Sequence, residues 1–261
     1  MDKIKLAGEV AQIARRAGAA ILSVYANVDE MPVELKSDAS PLTLADKASN
    51  DIITSGLVQL SVKFPIISEE SKLVAYEERC QYEHFWMVDP LDGTKEFLKR
   101  NGEFAVNIAL LEHDRPIIGV VYVPVTDELF WAVEGGGAYL ERQGEQVQLQ
   151  AAPFHLDDVG LNVLYSRSHM NAETAEFIKQ FRQPNLLSKG SVIKFLMLAK
   201  GEAHLYPRMG GTSEWDTCPA QLILEEAGGK VIDWETKLPM RYNKESLANP
   251  YFVAYGNVNS K

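Results

Sequence analysis

The middle of the chain contains five short apolar runs divided by turn-forming clusters, and this pattern limits the fold more than any other feature of the sequence. The runs read FWMVD, AVNIALL, IIGVVYV, ELFWAV and GAYL, beginning at Phe85. Their length and their content of β-branched and aromatic residues are typical of strands, and clusters such as HDRP and EGGG between them are typical of turns. The sequence therefore predicts a largely antiparallel sheet in this region.

Two helices are predicted before the sheet. The first lies within residues 1–25, where apolar residues recur at helical spacing on one face. These residues are Leu6, Val10, Ile13, Ala17 and Ile21. Charged residues interrupt the segment, which indicates an amphipathic core helix and not a signal peptide. A second periodic segment runs from about Ala45 to Val62. Because no apolar run approaches the roughly 20 residues needed to cross a bilayer, we expect no transmembrane segment.

Beyond Pro153 the pattern changes to alternating strands and helices. Strand-like segments are LNVLYS, HLYP, KVIDW and YFVAYG, and helix-like segments are AETAEFIKQF, SVIKFLMLAKG and WDTCPAQLILEEAGG. We therefore expect an N-terminal α+β half at residues 1–155, which holds the antiparallel sheet, and a C-terminal α/β half at residues 156–261. No linker-like segment separates the halves, so we expect them to pack closely with the active site between them.

The net charge limits the class of ligand. The chain has a formal net charge of -10 and a pI near 5.1, which argues against nucleic acid because such binding needs clustered Lys and Arg. A small anionic substrate remains possible if metal ions or helix N-termini assist locally. Cys80 and Cys218 lack the paired spacing of zinc or redox motifs, which favours a reducing compartment. We expect a cytoplasmic location; peripheral association with the inner face of a membrane and the oligomeric state stay open.

The segment WMVDPLDGTKEF carries the strongest chemical signal. An apolar strand is predicted to end at Asp89, and the chain then turns through Pro90 to present Asp92. Because proline fixes its own φ and restricts the preceding residue, the two carboxylates are held in a defined turn with the Leu91 carbonyl between them. Oxygen ligands of this kind suit a hard cation such as Mg²⁺. The backbone N–H groups that follow, at the start of a helical turn in KEFLKR, could receive a phosphate.

Other acidic residues accompany this segment, and each has an alternative explanation. DPLDG alone could be an ordinary turn. Glu69 and Glu70, in FPIISEES, could lie in a solvated loop, and Asp216, in EWDTCPAQ, could complement a helix macrodipole. In SPLTLAD, Thr43 has the position of a helix cap and Asp46 that of a capping-box acid, a role that is compatible with a catalytic one.

Taken together, IISEES, WMVDPLDGT and WDTCPAQLILEEAGG resemble, in order and spacing, the three motifs of the inositol monophosphatase superfamily of lithium-sensitive phosphatases. The resemblance extends from SPLTLAD to the C-terminal strands. Within the superfamily, DGTKEFLKRNGEFAVNIALL, SRSH and AHLYPRMGGTSEWDT resemble the 3'(2'),5'-bisphosphate nucleotidases, whereas inositol monophosphatases usually carry DGTxNF. The resemblance implies an α/β and α+β layered sandwich with alternating α-β-α-β-α layers, similar to inositol monophosphatases and sugar phosphatases.

The resemblance also implies a set of metal ligands. One Mg²⁺ would be held by Glu69, Asp89 and the Leu91 carbonyl, and a second by Asp89, Asp92 and Asp216, with a third, weaker ion near Glu69. The arrangement is physically sensible, because close carboxylates repel one another unless cations neutralise them. Such ions lower the pKa of a bound water and stabilise the leaving oxygen. Inhibition by Li⁺ is also implied.

For catalysis, the resemblance implies that Thr94 and Asp46 help to activate the attacking water, with Asp46 accepting a hydrogen bond from the threonine hydroxyl and no covalent phosphoenzyme. Of the five histidines only His169, in SRSH, lies in a segment of interest, and a structural or surface role is the main alternative for it. The expected substrate contacts are Glu69, Leu91, Asp92, Gly93, Thr94, Ser191, Lys194, Arg208 and Asp216. Solvated or packing roles remain alternatives for Lys194 and Arg208.

Three functions stay in competition. The first is Mg²⁺-dependent hydrolysis of adenosine 3',5'-bisphosphate to AMP and phosphate, with activity on the 5'-phosphosulfate relative as an extension. The second is an inositol or sugar phosphatase on the same fold, because fold does not fix substrate. The third is a metal-binding regulatory protein without catalysis, against which the intact set of acidic residues counts.

Overall fold

The computed structural model describes residues 1–26, 44–167 and 170–259, together with the backbone of two short strands between the first two ranges. The helices are α1 (Lys3–Tyr25), α2 (Leu44–Gln59), α3 (Tyr76–Arg79), α4 (Thr94–Leu98), α5 (Ala172–Ile178), α6 (Ile193–Ala199) and α7 (Cys218–Glu226). A 3₁₀ turn, Glu214–Asp216, precedes α7.

The strands of the first half are β1 (Glu34–Leu35), β2 (Pro41–Leu42), β3 (Ile66–Ser68), β4 (His84–Asp92), β5 (Ala105–Glu112), β6 (Arg115–Val123), β7 (Glu128–Val133), β8 (Gly137–Arg142), β9 (Glu145–Gln148) and β10 (Pro153–Phe154). Those of the second half are β11 (Asn162–Ser166), β12 (Asn185–Lys189), β13 (Leu205–Arg208), β14 (Lys230–Asp233), β15 (Phe252–Tyr255) and β16 (Asn257–Val258).

Residues 66–148 form a seven-stranded sheet in the order β3-β4-β5-β6-β7-β8-β9. β3 and β4 are parallel, and every other neighbouring pair in this sheet is antiparallel. The predicted antiparallel sheet is therefore confirmed. β9 lies outside the five predicted runs because its residues, EQVQ, are exposed and mostly polar, so they carry no apolar signal.

The second half contributes a five-stranded sheet in the order β12-β11-β13-β15-β14. β11 is parallel to β12 and β13, whereas β15 is antiparallel to both β13 and β14. β10 pairs with β16, so the chain near residue 153 is tied to the C-terminal strand. The division of the chain at residues 155 and 156 stays a prediction.

Helical and sheet layers alternate through the molecule. α1 and α2 pack on one face of the seven-stranded sheet, and α6 and α7 lie between its other face and the five-stranded sheet. α5 covers the outer face of the five-stranded sheet, where Ile178 packs with Val163 and Leu205. The expected α-β-α-β-α sandwich is confirmed. Because helices cover both faces of the central strands, those strands read as nearly continuous apolar runs.

α1 follows its sequence pattern closely. The five apolar residues of the predicted stripe are 0 to 4% exposed, and they pack against the seven-stranded sheet. At the N-terminus, the Asp2 carboxylate accepts a hydrogen bond from the Lys5 N–H at 3.0 Å, which satisfies one of the unpaired donors of the first turn.

β4 does not end where the sequence predicts. The prediction stops the strand at Asp89, whereas the structure continues it to Asp92, with a register shift between these residues. Asp89 lies opposite Asn107 and Asp92 lies opposite Ala105, so β4 contains one extra residue. This is a bulge, and the span that holds it includes Pro90, which has no N–H to donate to the ladder. The bulge lets Asp89 and Asp92, three positions apart, face the same side.

Thr43 and His169 lie outside the described residues. Among the described residues, no helix combines the length and the apolar character that crossing a bilayer requires.

A row of small residues crosses the seven-stranded sheet beneath α7. Its members, paired side by side on four strands, are Ala109, Gly119, Ala132 and Ala138. A Cβ added at Gly119 would lie closer than 3.0 Å to the backbone oxygen of Pro219, in the first turn of α7. The absence of a side chain at Gly119 therefore sets how closely α7, and the Asp216 turn before it, approach the sheet.

We predict that Gly119→Ala lowers the free energy of unfolding by about 1–3 kcal/mol, because the added methyl group overpacks the contact with the backbone of α7. Gly8→Ala is the matched control. Gly8 lies on the exposed face of α1 with open space around its Cβ position, so alanine there should stabilise by about 0.5–1 kcal/mol. Urea unfolding of both variants measures the two changes. A Gly119→Ala protein as stable as the wild type would contradict the close approach of α7.

Candidate active site

A cavity of about 250 Å³ lies between the C-terminal end of β4 and the segments that precede α6 and α7. Its charged lining residues are Glu69, Asp89, Asp92, Lys95, Glu96, Lys194, Arg208 and Asp216. Leu91, Gly93, Thr94 and Ser191 line it as well. The structure therefore brings the predicted metal ligands and substrate contacts to one cavity. Asp46 is the predicted residue that does not line it, since its side chain is fully buried in the first turn of α2.

Three carboxylates form the centre of the site. Asp89, Asp92 and Asp216 each offer one oxygen, and these oxygens all lie within 4.8 Å of one another. Asp89 and Asp92 come from the bulged end of β4, and Asp216 comes from the 3₁₀ turn before α7. That turn packs against β4, which places the distant third carboxylate beside the first two.

Backbone amides fix the orientation of each carboxylate. Asp89 accepts a hydrogen bond from the Leu91 N–H at 3.0 Å. Asp216 accepts one from the Ser213 N–H at 2.8 Å, within a capping box. Asp92 accepts hydrogen bonds from the Val192 N–H and from the Ser191 hydroxyl, both at the start of α6.

The bulge itself is anchored from α2. The Ser49 hydroxyl, which is fully buried, donates to the Pro90 carbonyl at 2.7 Å. Thr94 donates to the Leu91 carbonyl at 3.4 Å, so the oxygen that the sequence assigns to a metal lies beside the predicted catalytic hydroxyl. Gly93 has a φ of 95°, a backbone conformation that residues other than glycine rarely adopt, and it directly precedes α4.

Glu69 and Asp46 surround Asp89. The Glu69 N–H donates to the Val88 carbonyl at 3.1 Å, which holds the residue beside β4. Asp46 is near enough for its charge to raise the pKa of Asp89. The hydrogen bond between Asp46 and Thr94 stays a prediction.

The crowded carboxylates resist ionisation. Burial, followed by the charges of Glu69, Asp92 and Asp216, raises the pKa of Asp89 well above its usual range. Burial and the charge of Asp92 raise the pKa of Asp216 to about 8. Burial raises the pKa of Asp92 as well, although the hydrogen bond from Ser191 opposes it.

This donor set fits a hard divalent cation. All three central groups are carboxylates, the ligands that Mg²⁺ and Ca²⁺ prefer, and the cluster contains no thiolate or imidazole of the kind that selects softer metals. Ionising the three together is unfavourable unless positive charge compensates them. Asp89, Asp92 and Asp216 would therefore hold such a cation, and the assignment of Mg²⁺ stays a prediction.

Two buried cationic side chains line the same cavity. Lys194, on α6, is 4% exposed and donates to the backbone oxygens of Lys189 and Ser191. Burial lowers its pKa to about 8, although the charge of Asp92 opposes the shift. Arg208, at the end of β13, is 6% exposed and donates to the Gly211 oxygen at 2.7 Å. The cavity thus presents carboxylates and buried cations to the same ligand.

A cluster of charged contacts around Glu103, beside the cavity, carries no signal in the sequence. Glu103, between α4 and β5, accepts hydrogen bonds from the Gly190 N–H at 2.7 Å and from Lys189 at 3.2 Å, and it pairs with Arg167 at 3.0 Å. These contacts join the segment between α4 and β5 to the ends of β11 and β12. A single glutamate in a polar loop gives no periodic signal, and only the fold reveals its partners.

Comparison with known proteins places these features in a family. The profile of the inositol monophosphatase family matches residues 5–257. The protein named 3'(2'),5'-bisphosphate nucleotidase CysQ from Escherichia coli strain K12 is 44% identical over 245 residues, which cover 94% of this chain and 97% of that one. The protein of the same name from Haemophilus influenzae is 30% identical and covers 97% and 93% of the two chains.

Solved structures agree in fold. The crystal structure of CysQ from Bacteroides thetaiotaomicron, described as a bacterial member of the inositol monophosphatase family, superposes with a TM-score of 0.82 at 39% identity and covers 97% of both chains. The inositol monophosphatase from Anabaena superposes with a TM-score of 0.77 at 24% identity, covering 98% of this chain and 92% of that one. The second likeness concerns the fold alone.

We predict that, without divalent cations, stability falls as the pH rises from 6.5 to 8. The folded pKa of Asp216, about 8, lies above the unfolded value of about 4. Over this range the folded protein therefore holds a proton that the unfolded chain has released, and stability decreases with pH. The measurement is urea unfolding with a chelator. Asp216→Asn should show a flatter dependence, and a wild-type slope that is level or rising would contradict the shifted pKa.

Proposed function

The chain belongs to the inositol monophosphatase family, and from this premise we propose that it is a Mg²⁺-dependent phosphatase that converts adenosine 3',5'-bisphosphate to AMP and phosphate. The names of the E. coli and H. influenzae relatives support a 3'(2'),5'-bisphosphate nucleotidase. The proposal includes the 5'-phosphosulfate relative of this nucleotide as a second substrate.

One observation carries the proposal beyond the family. The three carboxylates and the buried side chains of Lys194 and Arg208 line one cavity. Cations held by the carboxylates would bind one phosphate, and fixed positive side chains would bind another anionic group. A nucleotide with two phosphates supplies both groups, whereas a monophosphate supplies only one.

Arg208 is the residue that we assign to the second anionic group. Arg208 is 6% exposed, and its Nε–H has no hydrogen-bond partner among the residues that the structure describes. A buried donor of this kind is costly unless a ligand accepts its hydrogen bond. The charge of Lys194 opposes the rise in the pKa of Asp92, so Lys194 lies near that carboxylate, and it also lies near Arg208. We assign Lys194 a supporting role in binding the second anionic group, with Ser191 beside it.

When bound, Mg²⁺ would lower the pKa of a coordinated water and stabilise charge on the leaving oxygen. Glu69, Asp89, the Leu91 carbonyl, Asp92 and Asp216 would hold the ions. The protein's own contribution is to orient the water. We assign the Thr94 oxygen to accept a hydrogen bond from the attacking water. The Thr94 hydroxyl hydrogen, which here points to the Leu91 carbonyl, would turn to the Asp46 carboxylate, so that a proton can leave the water as the bond to phosphorus forms. Gly93 keeps the chain close to the phosphate.

Two alternatives remain testable. An inositol monophosphatase would use the carboxylates in the same way, but Arg208 would then have no second anionic group to bind. A sugar bisphosphate would supply that group, so fructose bisphosphate is included in the comparison below. A metal-binding regulatory protein would need the cation site and no hydrolysis. A cytoplasmic location and inhibition by Li⁺ are also part of the proposal, and neither depends on the choice of substrate.

We predict that, with Mg²⁺, phosphate release from adenosine 3',5'-bisphosphate exceeds that from adenosine 3'-monophosphate, inositol monophosphate and fructose bisphosphate, compared as kcat/KM. Arg208→Lys keeps the charge but loses the fixed Nε–H donor. The variant should therefore raise KM for the bisphosphate roughly 10-fold, the scale of one charge-assisted hydrogen bond. KM for adenosine 3'-monophosphate should change little.

Three results would count against this proposal. Faster release from inositol monophosphate than from the nucleotide would favour the inositol alternative. An equal loss on both nucleotides in the Arg208→Lys variant would mean that Arg208 does not contact the 5'-phosphate. No release from any substrate by a protein that binds Mg²⁺ would favour the regulatory alternative.

A separate prediction tests the orientation of the water. Asp46→Asn and Thr94→Ala should each lower kcat roughly 10²-fold or more with little change in KM, the scale of general-base assistance. The double variant should lose much less than the product of the two single losses, because both residues serve one water. Kinetics and thermal melts of the three variants provide the measurement.

A capping role for Asp46 gives a different result. Because Asn is also a favourable capping residue, Asp46→Asn would then change stability by about 1 kcal/mol or less and leave kcat at the wild-type value. Multiplicative losses in the double variant would show that Asp46 and Thr94 act independently.

A further inference from the structure

Asn107 is a polar side chain in the interior of the seven-stranded sheet. It lies on β5 within the run AVNIALL and is 0% exposed. Its neighbours on the same face, Ala105 and Ala109, belong to the core between the two sheets, whereas Val106 and Ile108 face the opposite helices. The side chain of Asn107 therefore points toward α7 and the 3₁₀ turn that precedes it.

The register places Asn107 directly beside the carboxylate cluster. Asn107 pairs with Asp89 across the antiparallel β4 and β5. On β4, Met87 belongs to the core between the sheets and Val88 to the opposite one, so Asp89 faces the same side as Asn107. Side chains of directly opposed residues on one face have Cβ atoms about 4.5–5.5 Å apart. The 3₁₀ turn that carries Asp216 also packs on β5.

Both polar atoms of this amide lack a partner in the described part of the chain. Neither the Asn107 Nδ2 nor the Oδ1 has a hydrogen bond to any residue that the structure describes. A buried amide with no hydrogen bond is destabilising compared with an apolar side chain. Packing alone does not explain an asparagine at this position, because the rest of the run is apolar.

We propose that Asn107 is a positioning residue for Asp89, and that its amide donates a hydrogen bond to the Asp89 carboxylate when that group is ionised and holds a cation. Burial and neighbouring charges oppose ionisation of the Asp89 carboxylate. An N–H donor beside it stabilises the ionised form and fixes the direction of its oxygens. Asn is suited to this task because it donates without adding a charge to a site that must stay electrically balanced.

The inference rests on the proposed cation site, so the experiment measures cation binding first. Mg²⁺ is titrated by calorimetry into the metal-free wild type and into Asn107→Leu and Asn107→Ala, which both remove the amide. We expect the Kd for Mg²⁺ to rise roughly 10- to 100-fold in each variant, the usual effect of losing a group that orients a metal ligand. The melting temperature of the metal-free protein should be equal to or higher than that of the wild type in Asn107→Leu.

Trp86→Phe is the matched control. Trp86 lies on β4, is fully buried, and its Nε1 also has no hydrogen-bond partner among the described residues. It faces α1 and α2, on the side of the sheet away from the carboxylates. Removing this unpartnered N–H should leave the Kd for Mg²⁺ unchanged, whatever it does to the melting temperature.

The outcomes separate this inference from the proposed function. A wild type that does not bind Mg²⁺ would overturn the proposed function. A wild type that binds Mg²⁺ together with variants of equal affinity would overturn the role of Asn107 alone. A lower melting temperature of metal-free Asn107→Leu with unchanged affinity would assign the residue a structural role. Failure of both variants to fold would also contradict the proposal, because the proposal gives the Asn107 amide no stabilising role in the metal-free protein.

Discussion

Mutual repulsion among buried carboxylates is the constraint to which the rest of this structure responds. Three such groups offer oxygens within 4.8 Å of one another, and their burial makes the charged form of each group unfavourable. A flexible chain would separate them. The fold prevents separation by fixing the carboxylates to two rigid elements: the bulged end of β4 carries Asp89 and Asp92, and the 3₁₀ turn before α7 carries Asp216.

The same device recurs at each acidic side chain. One oxygen of each carboxylate accepts a backbone N–H, from Leu91 for Asp89, from Val192 for Asp92 and from Ser213 for Asp216. Because backbone donors belong to turns that are already ordered, they orient the carboxylates without the entropy loss of a long side chain. The cluster is thereby arranged before any cation arrives, which is the condition for tight and specific binding of a small ion.

The sequence predicts the parts of this arrangement that follow local rules. These parts are the apolar stripe of α1 and the strands of the central sheet. The layer order and the convergence of Asp89, Asp92 and Asp216 on one cavity agree with what the resemblance to inositol monophosphatases implies. Features that depend on tertiary contacts could not be predicted from the sequence. The bulge that extends β4 to Asp92 depends on pairing with β5, and the cluster of charged contacts around Glu103 depends on β11 and β12.

Gly119 and Asn107 show what the sequence alone cannot predict. Each is visible in the sequence as an exception inside an apolar run, a glycine in IIGVVYV and an asparagine in AVNIALL. An exception shows that something special happens at a position, but the identity of its neighbour comes only from register. Gly119 lies against the backbone of Pro219, and Asn107 lies opposite Asp89 on the neighbouring strand.

The wide separation of the cluster in sequence also sets an order of assembly. β5 to β9 are joined by short hairpins and β4 joins β5 through α4, so most of the sheet can form from local contacts, which are the ones that form fastest. Asp216 reaches the sheet only when α7 docks, after most of the chain has left the ribosome. Asp89 and Asp92 are therefore present on the nascent sheet without their third partner. A cation that needs all three carboxylates can then stabilise the finished molecule but not its growing precursor.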